Sequence, residues 1–345
     1  MTPPFLLPST TDSLRDRLGR PLGDLRVSVT DRCNFRCRYC MPRERFGKEH
    51  LFLPKAELLS FEELTRIVRL LGPLGLRKVR LTGGEPLLRK GLAELVRLLK
   101  EQTTATVALT TNGVLLPQAA ELLAQAGLDR LTVSLDALAP ELFRKVTDAD
   151  YTASDVLAGL AHAESHGFSS IKINSVIRRG LNEGEILPLA RRFRGTPHVL
   201  RFIEYMDVGS TNGWREQDVV SASEIIERID SELPLEPVAR ALPGDVAARY
   251  RYRDGSGEIG VIASVTQPFC GDCSRLRLSA DGQLFTCLFA TIGTDLRGPL
   301  RAGATDADLT ELVRAVWKAR TDRYSETRNL IPAPKRKIEM SYIGG

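Results

Sequence analysis

The sequence predicts an α/β fold, a partial (β/α)6 TIM-like barrel whose open side is closed by a smaller C-terminal α+β portion. Six short runs of high β propensity alternate with stretches of helical periodicity, at the roughly 30-residue spacing of a βαβ unit. The alternation stops near 208–220, where Gly, Ser and Asn collect. The six runs lie at 25–31, 78–84, 106–112, 131–137, 171–177 and 199–205.

Helices are predicted between these runs. Ser60 and Glu63 have the spacing of a capping box, and the apolar residues after them recur at helical spacing until Gly72 and Pro73. Each such helix would return the chain to the start of the next parallel strand. Further helical patterns cover 90–102, 117–126, 153–166 and 183–193.

Three segments follow from these boundaries. We expect an N-terminal extension at 1–24, the barrel at 25–210 and a C-terminal portion at 211–345. The last portion is predicted to contain a helix near 222–230, a hairpin across 249–264, a second hairpin turning at Asp281 and Gly282, and an amphipathic helix at 306–320.

Composition excludes several classes of protein. With 345 residues, 43% hydrophobic and 26% charged, the chain has the profile of a globular protein rather than a disordered one. Its start lacks a basic n-region and no run approaches the ~18 apolar residues of a membrane span, so we expect a cytoplasmic protein without membrane contact. The net charge of +5 suits an acidic ligand, and no long Lys/Arg run points to nucleic acid.

All six cysteines fall into two groups of three. Because they cluster and a cytosolic compartment disfavours disulfides, metal binding is the leading interpretation, with disulfides or inert core thiols as alternatives. Three thiolates leave one iron of a [4Fe–4S] cluster open, whereas structural zinc would need a fourth ligand close by. The groups are Cys33, Cys37 and Cys40, and Cys270, Cys273 and Cys287.

Polar residues follow the predicted strands at their carboxyl ends, where parallel barrels place their active sites. The first strand runs into the Cys33 loop and the second into a double-glycine turn. The other polar strand ends include "TTNG" at 110–113, "SLD" at 134–136 and "EYMD" at 204–207. The cysteine loop and the glycine turn are therefore expected to share one rim of the barrel.

Cations alternate with apolar residues along the strands. If the apolar residues pack on the helices, the period of two turns the cations into the barrel. Two interpretations remain open: internal salt bridges with residues such as Glu204 or Asp207, or a substrate that carries a polyphosphate. The inward cations are Arg26, Lys78, Arg80, Lys172 and Arg201.

The first cysteine group carries a family resemblance. A C-x3-C-x2-C loop with an aromatic residue before its last cysteine, ending a first β-strand and followed by "GGEP" at 83–86, resembles the radical S-adenosylmethionine superfamily. The resemblance implies a [4Fe–4S] cluster on this loop whose open iron chelates S-adenosylmethionine. It also implies cofactor contacts from Tyr39, Gly83, Gly84, Glu85, Ser134 and Met206.

The second cysteine group and the end of the chain indicate one family within this superfamily. The C-x2-C-x13-C motif and the final "RKIEMSYIGG" are similar to the GTP 3′,8-cyclase family of molybdenum cofactor biosynthesis, over nearly the whole length. This implies a second [4Fe–4S] cluster that contacts guanine, and a diglycine tail, Gly344 and Gly345, that enters the active site. The implied GTP-binding residues are Arg26, Lys78, Arg80, Thr111, Lys172, Arg201, Arg275 and Arg277.

The same resemblance implies an activity. The enzyme would be a lyase that abstracts hydrogen from ribose C3′ of GTP and joins C3′ to C8, giving (8S)-3′,8-cyclo-7,8-dihydroguanosine 5′-triphosphate. It implies a homodimer, a reductant protein such as flavodoxin or ferredoxin, and cyclic pyranopterin monophosphate synthase as the next enzyme. The implied catalytic set is Cys33, Cys37, Cys40, Arg275, Arg277, Gly344 and Gly345.

Two other functions stay open on the sequence. The chain could be a different radical S-adenosylmethionine enzyme, such as a peptide-modifying maturase, although its single auxiliary motif and diglycine end argue against this. It could also be a zinc-bearing nucleic-acid-binding module. Two observations argue against this: each cysteine group lacks the fourth ligand that structural zinc needs, and the cations point into the barrel. The diglycine could also be a frayed terminus.

Overall fold

The computed structural model describes residues 13–239, 245–330 and 337–345, so the first half of the predicted N-terminal extension, residues 1–12, lies outside the described residues. The six predicted barrel strands are confirmed. They are β1 (Asp24–Ser28), β2 (Lys78–Thr82), β3 (Thr106–Thr111), β4 (Arg130–Ser134), β5 (Lys172–Ile177) and β6 (Val199–Glu204). Six further strands follow: β7 (Leu235–Val238), β8 (Ala248–Tyr252), β9 (Glu258–Ile262), β10 (Arg275–Leu278), β11 (Gln283–Phe285) and β12 (Thr294–Asp295).

Helices separate the barrel strands as predicted. The first begins at a capping box: the Ser60 hydroxyl accepts from the Glu63 N–H at 3.1 Å, and the Glu63 carboxylate accepts from the Ser60 N–H at 2.7 Å. The barrel helices are α1 (Phe61–Leu71), α2 (Leu92–Gln102), α3 (Leu116–Gln125), α4 (Pro140–Thr147), α5 (Ala153–Ser165) and α6 (Ile186–Phe193). The later ones are α7 (Ala222–Asp230), α8 (Arg297–Arg301), α9 (Asp306–Ala319), α10 (Tyr324–Thr327) and α11 (Met340–Ile343).

The twelve strands form one sheet in the order β12-β11-β10-β1-β2-β3-β4-β5-β6-β9-β8-β7. Strands β1 to β6 are parallel neighbours in chain order, which confirms the partial-barrel prediction. Two C-terminal strands extend this parallel array, because β10 pairs with β1 and β9 pairs with β6. The C-terminal portion therefore lies along both edges that border the open side of the barrel, as predicted, although the sequence did not indicate these strand pairings.

The strand alternation has the predicted direction. The apolar residues of the strands, such as Val27, Leu81, Ile173 and Phe202, are at most 1% exposed and belong to one continuous core with the helices. Full burial of each such side chain contributes about 1.5–3 kcal/mol. The intervening cations keep partial exposure on the other face of the sheet.

Glu204 joins the barrel to the C-terminal portion. Its fully buried carboxylate, at the end of β6, accepts from the backbone N–H groups of Ala222 and Val265, both at 2.8 Å. Asp207 pairs with Arg328 and Lys337 of the C-terminal portion. The salt-bridge interpretation of the barrel interior is therefore wrong for both acids, since neither pairs with an inward cation. In the described ranges, no helix has the length and apolar character needed to cross a bilayer.

Candidate functional site

The first cysteine group lies in the loop after β1, at the carboxyl edge of the barrel. Its three cysteines are half-buried free thiols. Arg36 fixes the loop: its backbone N–H donates to Thr147 of α4 at 2.8 Å, and its guanidinium donates to the carbonyls of Cys33 and Phe46, each at 2.7 Å. The three thiols are thus held on a braced loop rather than on a free segment.

The donor chemistry of this loop fits an iron–sulfur cluster. Burial, with a contribution from Glu85, raises the pKa of Cys33 to about 12, and burial also raises the pKa values of Cys37 and Cys40. Ionised thiols here consequently need a cationic centre beside them. Among the residues that the structure describes, no three His, Cys, Asp or Glu side chains are grouped closely enough for a single metal ion; a four-iron cluster holds its thiolates farther apart.

The double-glycine turn packs directly on the cysteine loop. Gly84 donates its N–H to Thr30 at 2.9 Å and Glu85 donates to Arg32 at 2.8 Å. A Cβ on Gly83, whose φ is +144°, would lie 2.3 Å from the Thr30 carbonyl oxygen, and one on Gly84 would lie 2.2 Å from that of Arg32. Only glycine permits this approach of two backbones.

Glu85 organises the space behind the turn. Its buried carboxylate accepts from the N–H groups of Leu87 at 3.0 Å and Asn112 at 2.7 Å, and from the Thr111 hydroxyl at 2.7 Å. Asn112 in turn donates to Asn34 of the cysteine loop at 2.7 Å. Burial raises the pKa of Glu85 to about 7 despite these donors. Thr111, predicted to bind substrate, therefore has its hydroxyl directed at Glu85.

Tyr39 ties the cysteine loop to the next strands. Its hydroxyl donates to Asp136 at 2.7 Å, and the other oxygen of Asp136 accepts from the Val176 N–H at 2.8 Å. Burial raises the pKa of Asp136 to about 6. Ser134 ends β4 two residues before Asp136, and Met206 follows β6 at the same rim. Asp136 was recognisable as a polar strand end, but not as the partner of Tyr39.

The predicted cations line the barrel interior. Arg26 of β1 is in register with Arg80 of β2 on one side and Arg277 of β10 on the other. Arg80 donates to the Thr110 and Thr132 hydroxyls at 3.0 and 3.1 Å. The three arginines belong to the neighbouring strands β10, β1 and β2, so the sheet brings together cations that are far apart in the sequence.

Three further cations complete this interior. Arg201 donates to the Asn174 carbonyl oxygen at 2.7 Å. Lys78 forms an ion pair with Asp24, and Lys172 is in register with Thr132 of β4. Two acids also act on these cations through their charge: Asp24 on Arg26 and Arg80, and Asp245 on Lys172 and Arg201.

The inward cations nevertheless outnumber these two acids. Burial, reinforced by Arg201, lowers the pKa of Lys172 to about 8, and burial with Arg80 lowers that of Arg201 to about 9. Burial with Arg275 lowers the pKa of Arg277 to about 10. The Nε of Arg26 is buried without a hydrogen-bond partner among the described residues. A bound polyanion would relieve each of these costs.

The second cysteine group lies around β10 and β11. Arg275 and Arg320 donate to the Cys273 sulfur at 3.3 and 3.2 Å. Burial opposes ionisation of Cys273, but these two guanidiniums outweigh it and lower the thiol pKa to about 6. Burial raises the pKa of Cys287 to about 11. Sequence reasoning identified Arg275 but missed Arg320, which no motif marks.

The diglycine tail lies inside the barrel rim. Arg277 donates to the Gly344 carbonyl, and Ile343 before it is fully buried. Gly344 has φ +74°, and a Cβ there would lie 2.3 Å from Cγ2 of Thr82 at the end of β2. The tail thus contacts both a strand of the barrel and an inward arginine.

Asp207 anchors the start of this tail. Lys337 donates to the Asp207 carboxylate at 2.7 Å, and Tyr324 donates to the same oxygen at 2.5 Å. Arg328 pairs with the other oxygen at 2.9 Å. Glu339 of the tail accepts from the Thr211 hydroxyl at 3.0 Å. These contacts attach the tail to the rim beyond β6.

Two family models match this chain. The radical SAM superfamily model covers residues 27–193, and the model described as Molybdenum Cofactor Synthesis C covers residues 198–326. The matched segments contain the first and second cysteine groups, respectively.

Curated relatives match nearly the full length. A GTP 3′,8-cyclase of Acidothermus cellulolyticus is 54% identical, covering 97% of this chain and 100% of its own. Proteins of the same name from Xanthomonas axonopodis pv. citri and Staphylococcus saprophyticus are 49% and 44% identical, each over 97% of this chain and at least 99% of their own.

A solved structure shares the fold. SuiB of Streptococcus suis, solved with S-adenosylmethionine bound, superposes with a TM-score of 0.59 and covers 86% of this chain and 68% of its own. At 16% identity, this likeness extends to the fold alone.

Proposed function

Because this chain belongs to the GTP 3′,8-cyclase family, we propose that its basic barrel interior holds GTP between two [4Fe–4S] clusters, one on each cysteine group. The enzyme converts GTP to (8S)-3′,8-cyclo-7,8-dihydroguanosine 5′-triphosphate, the first step of molybdenum cofactor biosynthesis. One observation carries the proposed site: β10 pairs with β1, so Arg275 and Arg277, which lie between Cys273 and Cys287 of the second group, are beside the strand that leads into the first group.

The inward cations are the proposed triphosphate ligands. Arg26, Lys78, Arg80, Lys172 and Arg201 lie on neighbouring strands and outnumber the acids Asp24 and Asp245 that act on them, which favours a ligand with several negative charges. We keep Thr111 as a proposed GTP contact, with its hydroxyl donating to Glu85 at 2.7 Å. Arg277 would orient both the substrate and the Gly344 carbonyl.

The cofactor residues have equally distinct proposed roles. When bound, the reduced first cluster and S-adenosylmethionine supply the radical that removes hydrogen from ribose C3′. Gly83 and Gly84 leave room for S-adenosylmethionine beside the cysteine loop, and Glu85 holds that turn. Tyr39, fixed by Asp136, would flank the adenine with Ser134 and Met206. The tail would exclude water around C3′, because a reactive radical requires a closed and ordered site.

The proposed partners follow from this chemistry. A reductant protein such as flavodoxin or ferredoxin would supply the electron, and cyclic pyranopterin monophosphate synthase would consume the product. We also propose a homodimer located in the cytoplasm. Family membership sets aside the peptide-modifying maturase and the zinc-bearing nucleic-acid module.

An anaerobic assay tests the function. The protein, reconstituted with iron and sulfide and reduced with dithionite, is incubated with S-adenosylmethionine and GTP, and products are followed by mass spectrometry. We expect 5′-deoxyadenosine and the cyclised nucleotide to form together only when GTP is present. Formation of 5′-deoxyadenosine with unaltered GTP would contradict the substrate.

GTP affinity is expected to fall as pH rises through about 8. Lys172 has its pKa lowered to about 8 by burial and by neighbouring cations, so the free enzyme loses this charge above that pH. A bound triphosphate stabilises the charged form of Lys172 and raises the pKa of its amine. Above pH 8 the complex must therefore take up a proton as it forms, and the affinity for GTP falls by up to about tenfold per pH unit. Calorimetric titration of the holoenzyme with GTP between pH 7 and 9 measures this.

Lys172→Arg provides the control, because a guanidinium has a higher intrinsic pKa than an ammonium group and so keeps more of its charge across this range. The variant should lose most of the pH dependence. If both proteins showed the same dependence, Lys172 would not be the group that titrates.

A further inference from the structure

A groove with excess positive charge lies outside the barrel interior, next to the first cysteine loop. Five of its lining side chains are cationic and one is acidic. They are Arg38, Lys145, Arg178, Arg179, Arg215 and Asp218. Asp218 pairs with Arg178 at 2.9 Å and with Arg215 at 3.0 Å. One carboxylate thus serves two guanidiniums, and the groove keeps a net positive charge.

Two of the cations are exposed and have no side-chain partner. Among the described residues, neither Arg38 nor Lys145 forms a side-chain hydrogen bond or an ion pair, and both are exposed. Arg179, by contrast, pairs with Glu224. Exposed cations without partners keep their field directed into solvent, where it can attract an acidic protein.

The groove adjoins the proposed site of the first cluster. Arg38 lies within the cysteine loop, between Cys37 and Tyr39, and its N–H donates to Val146 of α4 at 3.3 Å. Lys145 precedes Val146, and Arg178 follows β5 at the same carboxyl edge of the sheet. The positive surface therefore begins at the loop that would hold the cluster, and a partner seated there would be close to it.

We propose that this groove docks a small acidic electron-carrier protein that reduces the first cluster, an inference that rests on the proposed cluster site. One electron leaves the reduced carrier and enters the oxidised cluster, and no bond forms between the proteins. Such a contact must be brief, because the carrier has to leave after each transfer, and transient redox contacts are small and polar. Charge complementarity suits it, since it raises the association rate without requiring a tight complex.

Charge reversal in the groove tests the proposal. Wild-type and Lys145→Glu holoenzymes are mixed with reduced flavodoxin, or with reduced ferredoxin in a parallel series. Loss of the cluster's visible absorption gives the rate of reduction. For the variant, we expect a roughly tenfold higher carrier concentration at half-maximal rate at low salt, with a smaller difference at high salt. The double variant Lys145→Glu/Arg215→Glu should need a still higher carrier concentration for half-maximal reduction.

Matched controls separate docking from other effects. Lys318→Glu makes the same charge change at an exposed residue of α9 and should behave as wild type. With dithionite, which needs no docking surface, all variants should be reduced and turn over GTP at the wild-type rate. Cluster reduction does not require GTP, so the docking test remains valid even if GTP is not the substrate.

Several outcomes would overturn the proposal. One is that the Lys145→Glu/Arg215→Glu variant needs the same carrier concentration for half-maximal reduction as wild type, with both flavodoxin and ferredoxin. An equal fall in the dithionite-driven rate would assign Lys145 to the fold or the active site. A change from dimer to monomer in sedimentation, with carrier kinetics intact, would make the groove a contact between two copies of this chain.

Discussion

Cys37→Ala will abolish both S-adenosylmethionine cleavage and GTP cyclisation, whereas Cys273→Ala will abolish cyclisation and leave slow S-adenosylmethionine cleavage. The difference follows from where the two thiols lie. Cys37 belongs to the loop after β1, next to the double-glycine turn, and Cys273 lies beside Arg275 at the proposed guanine end of the cavity. Loss of one thiolate from a set of three leaves the cluster without a stable attachment. The measurement is anaerobic quantification of 5′-deoxyadenosine and of the cyclised nucleotide.

Iron analysis provides the control for this pair. Each variant should retain about half of the wild-type iron and sulfide, because the other cluster remains intact. If Cys273→Ala lost all cleavage while keeping the first cluster, the two cysteine groups would act as one unit. If Cys37→Ala kept cleavage, the radical chemistry would not start on the loop after β1.

Much of the fold was predictable because local physical rules and the tertiary structure agree. The period of two along β1, β2 and β5 placed the apolar side chains in the core and the cations opposite them. The short α4 was not predicted, although α6, which has the same length, was. Local patterns also carry no information on which sheet edge receives β9 or β10, because that pairing joins distant parts of the chain.

The site was predictable where a motif names its residues. The cysteine groups, the double-glycine turn and the inward cations were all identified in advance, and the roles of these residues stay predictions. Contacts between distant residues were not identified. Arg320, directly after α9, donates to both the carbonyl oxygen and the sulfur of Cys273, and Asp16 at 3.4 Å helps to hold it there. That the Thr111 hydroxyl donates to Glu85 was likewise not identified, because strand direction alone does not reveal this contact.

Gly344→Ala will reduce kcat/KM for GTP by about a hundredfold while leaving the protein folded. The φ of +74° is unfavourable for alanine, and the new methyl group would lie 2.3 Å from Cγ2 of Thr82. Since the Gly344 carbonyl also accepts from Arg277, a shifted tail displaces a cation proposed to orient GTP. A displacement of about 1 Å in such a site can cost about a hundredfold in rate. Initial rates of the cyclised product against GTP concentration give kcat/KM.

Two companion variants separate the steric clash from the backbone strain. The double variant Gly344→Ala/Thr82→Ser lacks the Cγ2 atom that the new methyl group would meet, so it should recover part of the activity. The remaining loss would come from the backbone strain of alanine at positive φ. Gly345→Ala should remain close to wild type, because its added methyl group meets only the flexible Met340 side chain, with Sδ at 2.9 Å. Equal activity of Gly344→Ala and wild type would mean that the tail does not need to lie against β2 during turnover. Equal losses in Gly344→Ala and Gly345→Ala would attribute the effect to the chain end in general, rather than to the contact with Thr82.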